Sequence, residues 1–597
     1  MRGMYLRRCY RVKDGKRHAY WALVESVRTA RGPRQHVVAY LGELEKQAAR
    51  PAAAGLSGPA GLHPALGGVL AGGMFDETHP QWVTVDAARL QVGNARELGG
   101  CFLGLDLMRR LGLMDFFQQV MPWGKEDVPG SAMAAVLVLC RLLHPSSELH
   151  ISEHAYEQSA LAELLGVPAE KVNDDRLYRA LDALLPHKAA LQAHLEHRLG
   201  ELFDLDYDLI LYDVTSTYFE GQAQANPMAR RGYSRDHRGD CKQVCIGLVV
   251  SRDGLPLGYE VFPGNRSDVT TLQEIIATME GRYGKAQRIW VVDRGMVSAD
   301  NMEFLQADGR RYIVGTPKSL LKQYQRQLLA DGWHAIRAEL EVKLCPSPDG
   351  QEVFILCRSA SRRDKEQAMH ERFSRRIEQG LLDLQAACIR QKQNPILIAQ
   401  RLGKLMGKNS RAAGGFATQV LTGSDGSAWL EWSKAQDWQD WAALSEGCYI
   451  LRSNMTDWTD QQLWEAYIQL TEAEGAFRIH KSDLSLRPVW HQKQQRVEAH
   501  ILVCFLAYVL WKTLGQLCRR AGLGDEPRKV LAELAPIQVI DVTVPTRRRD
   551  GSDGPLLHKR CVSHPTDHQA ILLHHLGLHL PSRMKTMDPP TAAPQTT

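Results

Sequence analysis

Cysteine is scarce and badly spaced for any structural role. There are 12 in 597 residues, and no two are separated by two residues. The nearest pair, Cys241 and Cys245, lies in a stretch that reads as a strand, which argues against a zinc site. Reduced thiols and a cytoplasmic location are expected. Charge of one sign is also scarce. Lys and Arg number 73 against 68 Asp and Glu, a net +5, so a polyanionic partner must be argued from local patches. Long apolar runs are missing. The longest, Ile501 to Trp511, has 11 residues, too few to cross a bilayer. The opening MRGMYLRRCYRV has no apolar stretch of the kind a secretory leader carries. No membrane partner is expected. The 44% of hydrophobic residues suffices for ordinary globular cores, and the length for several domains.

What is present changes character along the chain. Residues 1–48 read as a small basic β segment in three pieces, Tyr5–Val12, His18–Glu25 and Arg34–Leu41. Lys13-Asp14-Gly15 signals a hairpin between the first two. Seven of the first 17 residues are Arg or Lys against one Asp. That fits either a solvated sheet or a ribbon that touches phosphates. Residues 49–97 read as a linker, since 16 of the 23 residues from Pro51 to Gly73 are Ala, Gly or Pro. Residues 98–205 have helical periodicity, broken at Pro122, Pro129, Pro145, Pro168 and Pro186. A helical domain follows, with DNA binding open to it.

From Asp206 the pattern becomes β/α. Gln243–Ser251 and Pro256–Phe262 read as a hairpin turning at Asp253-Gly254. Ser267 or Asp268 is placed to cap a helix over Val269–Glu280. A helix near Ala299–Gln306 and a strand over Arg311–Thr316 close the block 206–317. Residues 318–445 interrupt it with β-like pieces (Ala338–Leu344, Glu352–Cys357), a charged helix (Arg362–Gln393) and four tryptophans, Trp429, Trp432, Trp438 and Trp441. These are expected mostly in a core, with base stacking as the minority use. Helical periodicity returns over 446–524, in Thr459–Lys481 (capped by Thr459) and Glu498–Arg520. Residues 525–597 are a C-terminal segment whose polar tail after Ser582 is expected to be disordered. The fold class is α/β. A hairpin followed by parallel β/α units is the order of an RNase H-like mixed sheet flanked by helices, with an inserted partly β domain and an N-terminal helical region.

Two acids stand out. In YDLILYDVTSTY, five of the six residues from Leu209 to Val214 are apolar or aromatic and the sixth is Asp213. In RIWVVDRG, the run Ile289–Val292 ends in Asp293. Short apolar runs of this kind are buried strands. A lone strand-end Asp is commonly a turn cap. Two of them can stand side by side at one edge of a sheet, where both cannot stay ionised without a cation between them. All-oxygen ligands suit Mg²⁺ or Mn²⁺. A basic loop, Met228 to Asp240, follows the first strand.

Further along, Tyr467, Leu470, Glu474 and Lys481 occur in EAYIQLTEAEGAFRIHKSDLSLRPVWH. With YDVTSTYFEG, RGYSRDHRGDCKQ, GLPLGYEVFPGNRSD and VVDRGM, this chain resembles the bacterial insertion-sequence transposases of the DDE class that carry a Tyr-x2-Arg-x3-Glu-x6-Lys signature. The spacing matches that signature, but Leu470 stands where the signature has Arg, and Arg478 is the nearest substitute cation. The resemblance covers about residues 1 to 545. It implies an RNase H-like catalytic domain with an insertion between the second and third acids. It implies Asp213, Asp293 and Glu474 as ligands of two divalent cations, Mg²⁺ or Mn²⁺. Tyr467, Lys481 and Arg478 would contact phosphates, with Arg235, Arg238 and Lys242 of the basic loop.

Glu472 competes with Glu474 for the third place. At about 100° per residue the two point to nearly opposite faces of a helix. The face of Glu474 also holds Tyr467, Leu470, Phe477, Arg478 and Lys481, whereas that of Glu472 has no cation. The function implied is a DNA transposase acting on double-stranded DNA. It would bind the inverted repeats of its element, cut, and join 3′ ends to target DNA, as a homodimer once two ends are synapsed. The alternatives are a nuclease of the same fold without strand transfer, and a catalytically silent DNA-binding remnant.

Overall fold

The computed structural model describes residues 4–13, 16–29, 32–42, 84–205, 207–283, 288–424, 426–548 and 550–584. The Ala/Gly/Pro-rich stretch 51–73 and the tail from 585 onward lie outside the described residues. The chain divides into two compact units. One comprises Met1–Asp206, Val214–Arg266 and Glu474–Thr597, and the other Tyr207–Asp213 and Ser267–Ala473.

In the first unit, β1 (Met4–Lys13), β2 (Lys16–Thr29) and β3 (Gly32–Gly42) form an antiparallel sheet. Lys13 stands opposite Lys16, the hairpin expected there. Residues read as the end of a linker instead form β4 (Thr84–Val85) and β5 (Gln91–Glu97). They are strands because both pair with a late strand, β17 (Gln538–Arg547), which local composition does not reveal. β17 also pairs with β18 (Asp553–Val562), and β18 with β19 (Arg583–Met584).

Helices α1 to α7 follow: Gly99–Arg110, Leu113–Val120, Gly130–Leu143, Glu148–His150, Leu161–Leu165, Asp174–Leu184 and Lys188–Phe203. The same unit holds the hairpin of β7 (Gln243–Ser251) and β8 (Pro256–Pro263). All nine residues of β7 are buried, as its apolar run requires.

The unit is packed around α17 (Gln494–Arg520), a helix of 27 residues. By length and composition α17 could cross a membrane, which corrects the reading that no segment is long enough. Counting an uninterrupted apolar run missed it because His500 and Lys512 flank that run. The helix is instead a core element, with 89% of its most apolar window buried inside the protein. Phe505 packs against Tyr259 of β8 with ring centroids 4.9 Å apart. The Tyr508 hydroxyl donates to the Gly254 carbonyl at the hairpin turn (2.9 Å). Two further helices, α18 (Pro527–Leu534) and α19 (Asp567–His575), complete the unit.

In the second unit the strand order is β11-β12-β13-β16-β10-β9-β6. The strands are β6 (Leu209–Tyr218), β9 (Ile289–Val292), β10 (Arg311–Gly315), β11 (His334–Arg337), β12 (Leu340–Pro346), β13 (Val353–Ser359) and β16 (Cys448–Ser453). β6, β9 and β10 are parallel neighbours, while β16 runs antiparallel to β10. The chain of β6 passes from this unit into the other after Asp213. Helices α8 (Leu272–Tyr283) and α9 (Ala299–Gln306) make the β/α connections, and α10 is Gln325–Leu329. The fold is thus the expected mixed α/β sheet with helices.

A separate small core forms where α11 (Ala360–Arg390), α12 (Pro395–Lys408) and α13 (Ser410–Ala413) meet the hairpin of β14 (Phe416–Thr422) and β15 (Ala428–Lys434). Trp432 packs on that core, and Trp441 of α14 (Gln436–Ser445) on a neighbouring one. Trp438 covers Gly414 and Gly415, while Trp429 is exposed. The last helices are α15 (Asp460–Ile468), opened by a capping box at Thr459, and α16 (Leu470–Arg478).

Two imidazoles are buried neutral in this core, His500 on α17 and His480 in the turn Ile479–Asp483. Burial pushes His480 down to about 4, and burial with the Arg141 charge pushes His500 down to about 3. In the unfolded chain both take up a proton below about pH 6.5. The stability they contribute is therefore full above that value and is lost as pH falls toward 4. The expected loss approaches ~1.4 kcal/mol per pH unit for each imidazole. Urea unfolding at pH 7 and pH 5 measures it. His500→Gln should flatten the acid limb, and an unchanged limb would show that His500 does not contribute.

Candidate active site

The parallel register of β6 and β9 decides the geometry. Leu209 pairs with Ile289, and the pairing runs to Tyr212 opposite Val292. Asp293 follows the last residue of β9, whereas Asp213, read from the sequence as ending its strand, is the fifth of the ten residues of β6 and stands where β6 runs on past its pairing with β9. Both are half-buried. Asp293 starts a 3₁₀ turn, Arg294–Met296, with its carbonyl accepting from the Met296 amide (3.1 Å).

A third carboxylate lies beside them, one that sequence reasoning treated only as a helix cap. Gly295 separates Asp268 from Asp293. A Cβ on Gly295 would lie 3.8 Å from an oxygen of each. Ser267 precedes a 3₁₀ turn, Asp268–Thr270, rather than an α-helix, and makes no side-chain cap bond. The signal in the sequence was the GNRSD motif. Buried Asn301 ties the two acid-bearing loops together, donating 2.8 Å bonds to the carbonyls of Val269 and Met296. Behind them the Tyr212 hydroxyl, whose pKa burial raises, donates to Thr271 Oγ1 (2.9 Å).

Tyr467, on α15, reaches this corner. Its hydroxyl is 3.5 Å from Asp293 Oδ1, a long contact. Burial and the Asp293 charge raise its pKa, so it stays a phenol. The approach depends on Gly315 at the end of β10. A Cβ there would sit 2.4 Å from the Tyr467 oxygen and 3.1 Å from the Arg294 amide nitrogen.

The donor set of this corner is all carboxylate oxygen, which suits the hard cations Mg²⁺ and Mn²⁺. Neighbouring carboxylates repel unless a cation joins them. Asp213 and Asp293, with Asp268 beside them, therefore fit the divalent ions that the sequence resemblance implies.

Glu474 belongs to the other unit, where it is exposed on α16; Glu472 is half-buried. Arg478, one turn on from Glu474, is also exposed. Leu470 is buried, so the position that carries Arg in the signature is here a packing position. The expected continuous helix does not hold to Lys481. A π-turn, Ile479–Asp483, adds a residue to the turn and rotates Lys481 off the Glu474 row.

Lys481 instead meets Asp236, in the basic loop, at 2.8 Å, and Arg487 bonds the same oxygen. Asp236 is almost fully buried, and its other oxygen, Oδ2, has no hydrogen-bond partner. Burial lowers the Lys481 pKa while the Asp236 carboxylate holds it charged. Two cations on one carboxylate leave the cluster net positive. In the same loop Arg238 pairs with Asp240 (3.0 Å) and lies over the Tyr218 ring, while Arg235 and Lys242 are half-buried. The loop is anchored at its base by paired backbone bonds between Arg230 and Gln243 and by the Phe219 amide on the Lys242 carbonyl (2.9 Å).

A second cluster in the first unit, Glu148, His491 and His500, brings ligand atoms within 4.8 Å of one another. It reads as hydrogen-bonded core. Arg141 lies 3.5 Å from His500 Nδ1 and the Leu486 carbonyl 3.2 Å from Nε2, which occupies both ring nitrogens. Beside it burial alone would raise the Glu148 carboxyl, but the hydrogen bond and charge of His491, with smaller contributions from the other neighbours, together bring it down to about 2.

The Lys481–Asp236 pair yields a stability test. Lys481→Met leaves a buried carboxylate with one partner fewer and is expected to cost up to about 3–5 kcal/mol. Adding Asp236→Asn should return most of that loss, read by chemical denaturation. Equal losses in the single and double variants would show that the pair carries no coupling.

No curated protein matches the sequence significantly. Among solved structures the chain is similar to the piggyBac transposase, seen by cryo-EM in a synaptic complex with hairpin DNA. That similarity has 8% identity and a TM-score of 0.36, over 74% of this chain and 82% of that one. The family profile described as "Transposase DDE domain" matches residues 204–510, a span that contains Asp213, Asp293, Tyr467, Glu474 and Lys481. That span is more than half of the chain, and the protein belongs to the transposase DDE-domain family.

Proposed function

We propose that this transposase binds the inverted repeats of its own element as a homodimer, cuts the DNA there, and joins the free 3′ ends to target DNA. The observation that carries the proposal is the pair of acids on neighbouring parallel strands, Asp213 within β6 and Asp293 just past the end of β9. In the cut, a water oxygen attacks phosphorus in line, and the 3′ oxygen leaves as a hydroxyl. In joining, that 3′-hydroxyl attacks a target phosphodiester and displaces the target's own 3′ oxygen. Two divalent cations, Mg²⁺ or Mn²⁺, when bound supply the charge that activates the attacking oxygen and stabilises the leaving one. Asp213, Asp293 and Glu474 would hold them, leaving positions open to substrate oxygens. Tyr467, kept protonated beside Asp293, would donate to a phosphate oxygen. Arg478 and the net-positive group around Lys481 would hold the backbone, with Arg235, Arg238 and Lys242 extending the contact along the strand.

Asp213→Ala and Asp293→Ala should each lower Mg²⁺-dependent cleavage of an end-bearing duplex by more than about 100-fold, beyond the loss typical of an outer-shell partner. Binding of that duplex in EDTA should stay within a few-fold of wild type. Cleavage near the wild-type rate by either variant would remove the metal-site reading. Cleavage that persists in the native protein without any joined product would favour a nuclease.

The third acid is tested separately. Glu474→Ala is expected to abolish cleavage and Glu472→Ala to spare it, with thermal melts confirming that both fold. The reverse outcome would move the third ligand to Glu472 and withdraw the roles given to Tyr467 and Arg478.

A further inference from the structure

The small core built by α11, α12 and the β14–β15 hairpin has an outer surface that the proposed chemistry does not use. Residues 384–424 contain six Lys or Arg and no Asp or Glu. In a chain with nearly balanced charge, that is a strong local excess. Three of the six, Arg401, Lys404 and Lys408, lie on α12 and are exposed. Their spacing of three and four residues puts them in one row on the helix. Over seven residues that row spans ~10 Å.

The inner face of α12, next to this row around the helix, is anchored, since Ile398 and Leu402 are buried against Ile377 and Leu381 of α11 and Leu430 of β15. The row is therefore presented by a fixed helix, not by a loose loop.

The same helix carries Gly403 and Gly407. Glycine is the poorest helix former after proline. A Cβ at either position would meet nothing within 4 Å, so packing inside the protein does not require glycine. Both fall on the solvent side, beside the cation row. Absent side chains next to a row of cations allow another backbone to come close. Nearby, Ile389 and Ile396 are exposed at 69% and 70%, at the turn that leads into α12.

We infer that the outer face of α12 binds the phosphate backbone of duplex DNA, through Arg401, Lys404 and Lys408, with Gly403 and Gly407 admitting the strand. Charge complementarity names the partner. A duplex carries one negative charge per ~1.7 Å of its axis, so a ~10 Å row meets several phosphates. The contact reads no sequence, because no base edge is involved. The inference rests on the reading of the protein as a transposase, for which DNA is the substrate.

The test uses the full-length protein in EDTA, with a fluorescent duplex of random sequence, across a salt series. The triple variant Arg401→Gln/Lys404→Gln/Lys408→Gln should bind about tenfold more weakly or worse. Its log K against log salt should be shallower by about 2 to 3, as the loss of three phosphate contacts requires. Gly403→Ala/Gly407→Ala should raise the melting temperature yet weaken binding, a pair of opposite signs that misfolding cannot produce. Unchanged affinity and salt slope in the triple variant would overturn the inference. Weakened binding with an unchanged salt slope would also overturn it. If the wild-type protein itself bound no duplex, the transposase reading would fail first. Selective loss of binding to RNA or to a protein, with duplex binding intact, would assign the face elsewhere.

Discussion

Two carboxylates on adjacent parallel strands impose the constraint around which this corner of the sheet is arranged. At about 5 Å, the spacing of paired strands, two unit charges repel by ~3 kcal/mol at an effective dielectric of 20. Backbone register brings Asp213 and Asp293 to neighbouring positions, one residue beyond the pairing of Tyr212 with Val292. The nearby groups act on the same constraint. Tyr467 faces Asp293 as a neutral phenol, Gly315 leaves room for it, and Asn301 holds the Asp268 and Asp293 loops together.

The second fixed point is Asp236. A buried carboxylate is tolerable only when cations meet it, and Lys481 and Arg487 do so from beyond the π-turn that follows α16. This pins the middle of the basic loop, while its base is tied by backbone bonds between Arg230 and Gln243. The loop is thus a fixed positive surface and not a floppy one. Cations that must meet a polyanion lose less conformational entropy when they are already held.

Much of the catalytic core was legible in the sequence because it is written in local apolar runs. Gln243–Ser251, Ile289–Val292 and Ala299–Gln306 are read with the bounds the structure gives, since each is a short buried strand or a helix with clear ends. The Thr459 cap was legible for the same reason, as Thr459 and Gln462 bond each other's backbone without help from the rest of the fold. The strands near residues 84–97 were not, because their partners lie more than 400 residues away. Asp268 was overlooked because a short polar acid before a helix has a common local explanation. Only the fold reveals that a turn of another type places it beside Asp293.

By itself, then, the sequence determined the strands and helices that are written in local apolar runs, the placing of the two acids on two such strands, and the similarity that names a class of enzyme. Those features depend on residues close together in the chain. Tertiary structure alone decided three other things. It made α17 a core helix, because burial depends on what surrounds a helix and not on its composition. It gave Lys481 to Asp236, because a single π-turn rotates a side chain that an α-helical count places elsewhere. It left the cations of α12 facing outward, because the inner side of that helix is taken by Ile398 and Leu402. In each case the deciding interaction joins residues that the linear chain keeps far apart.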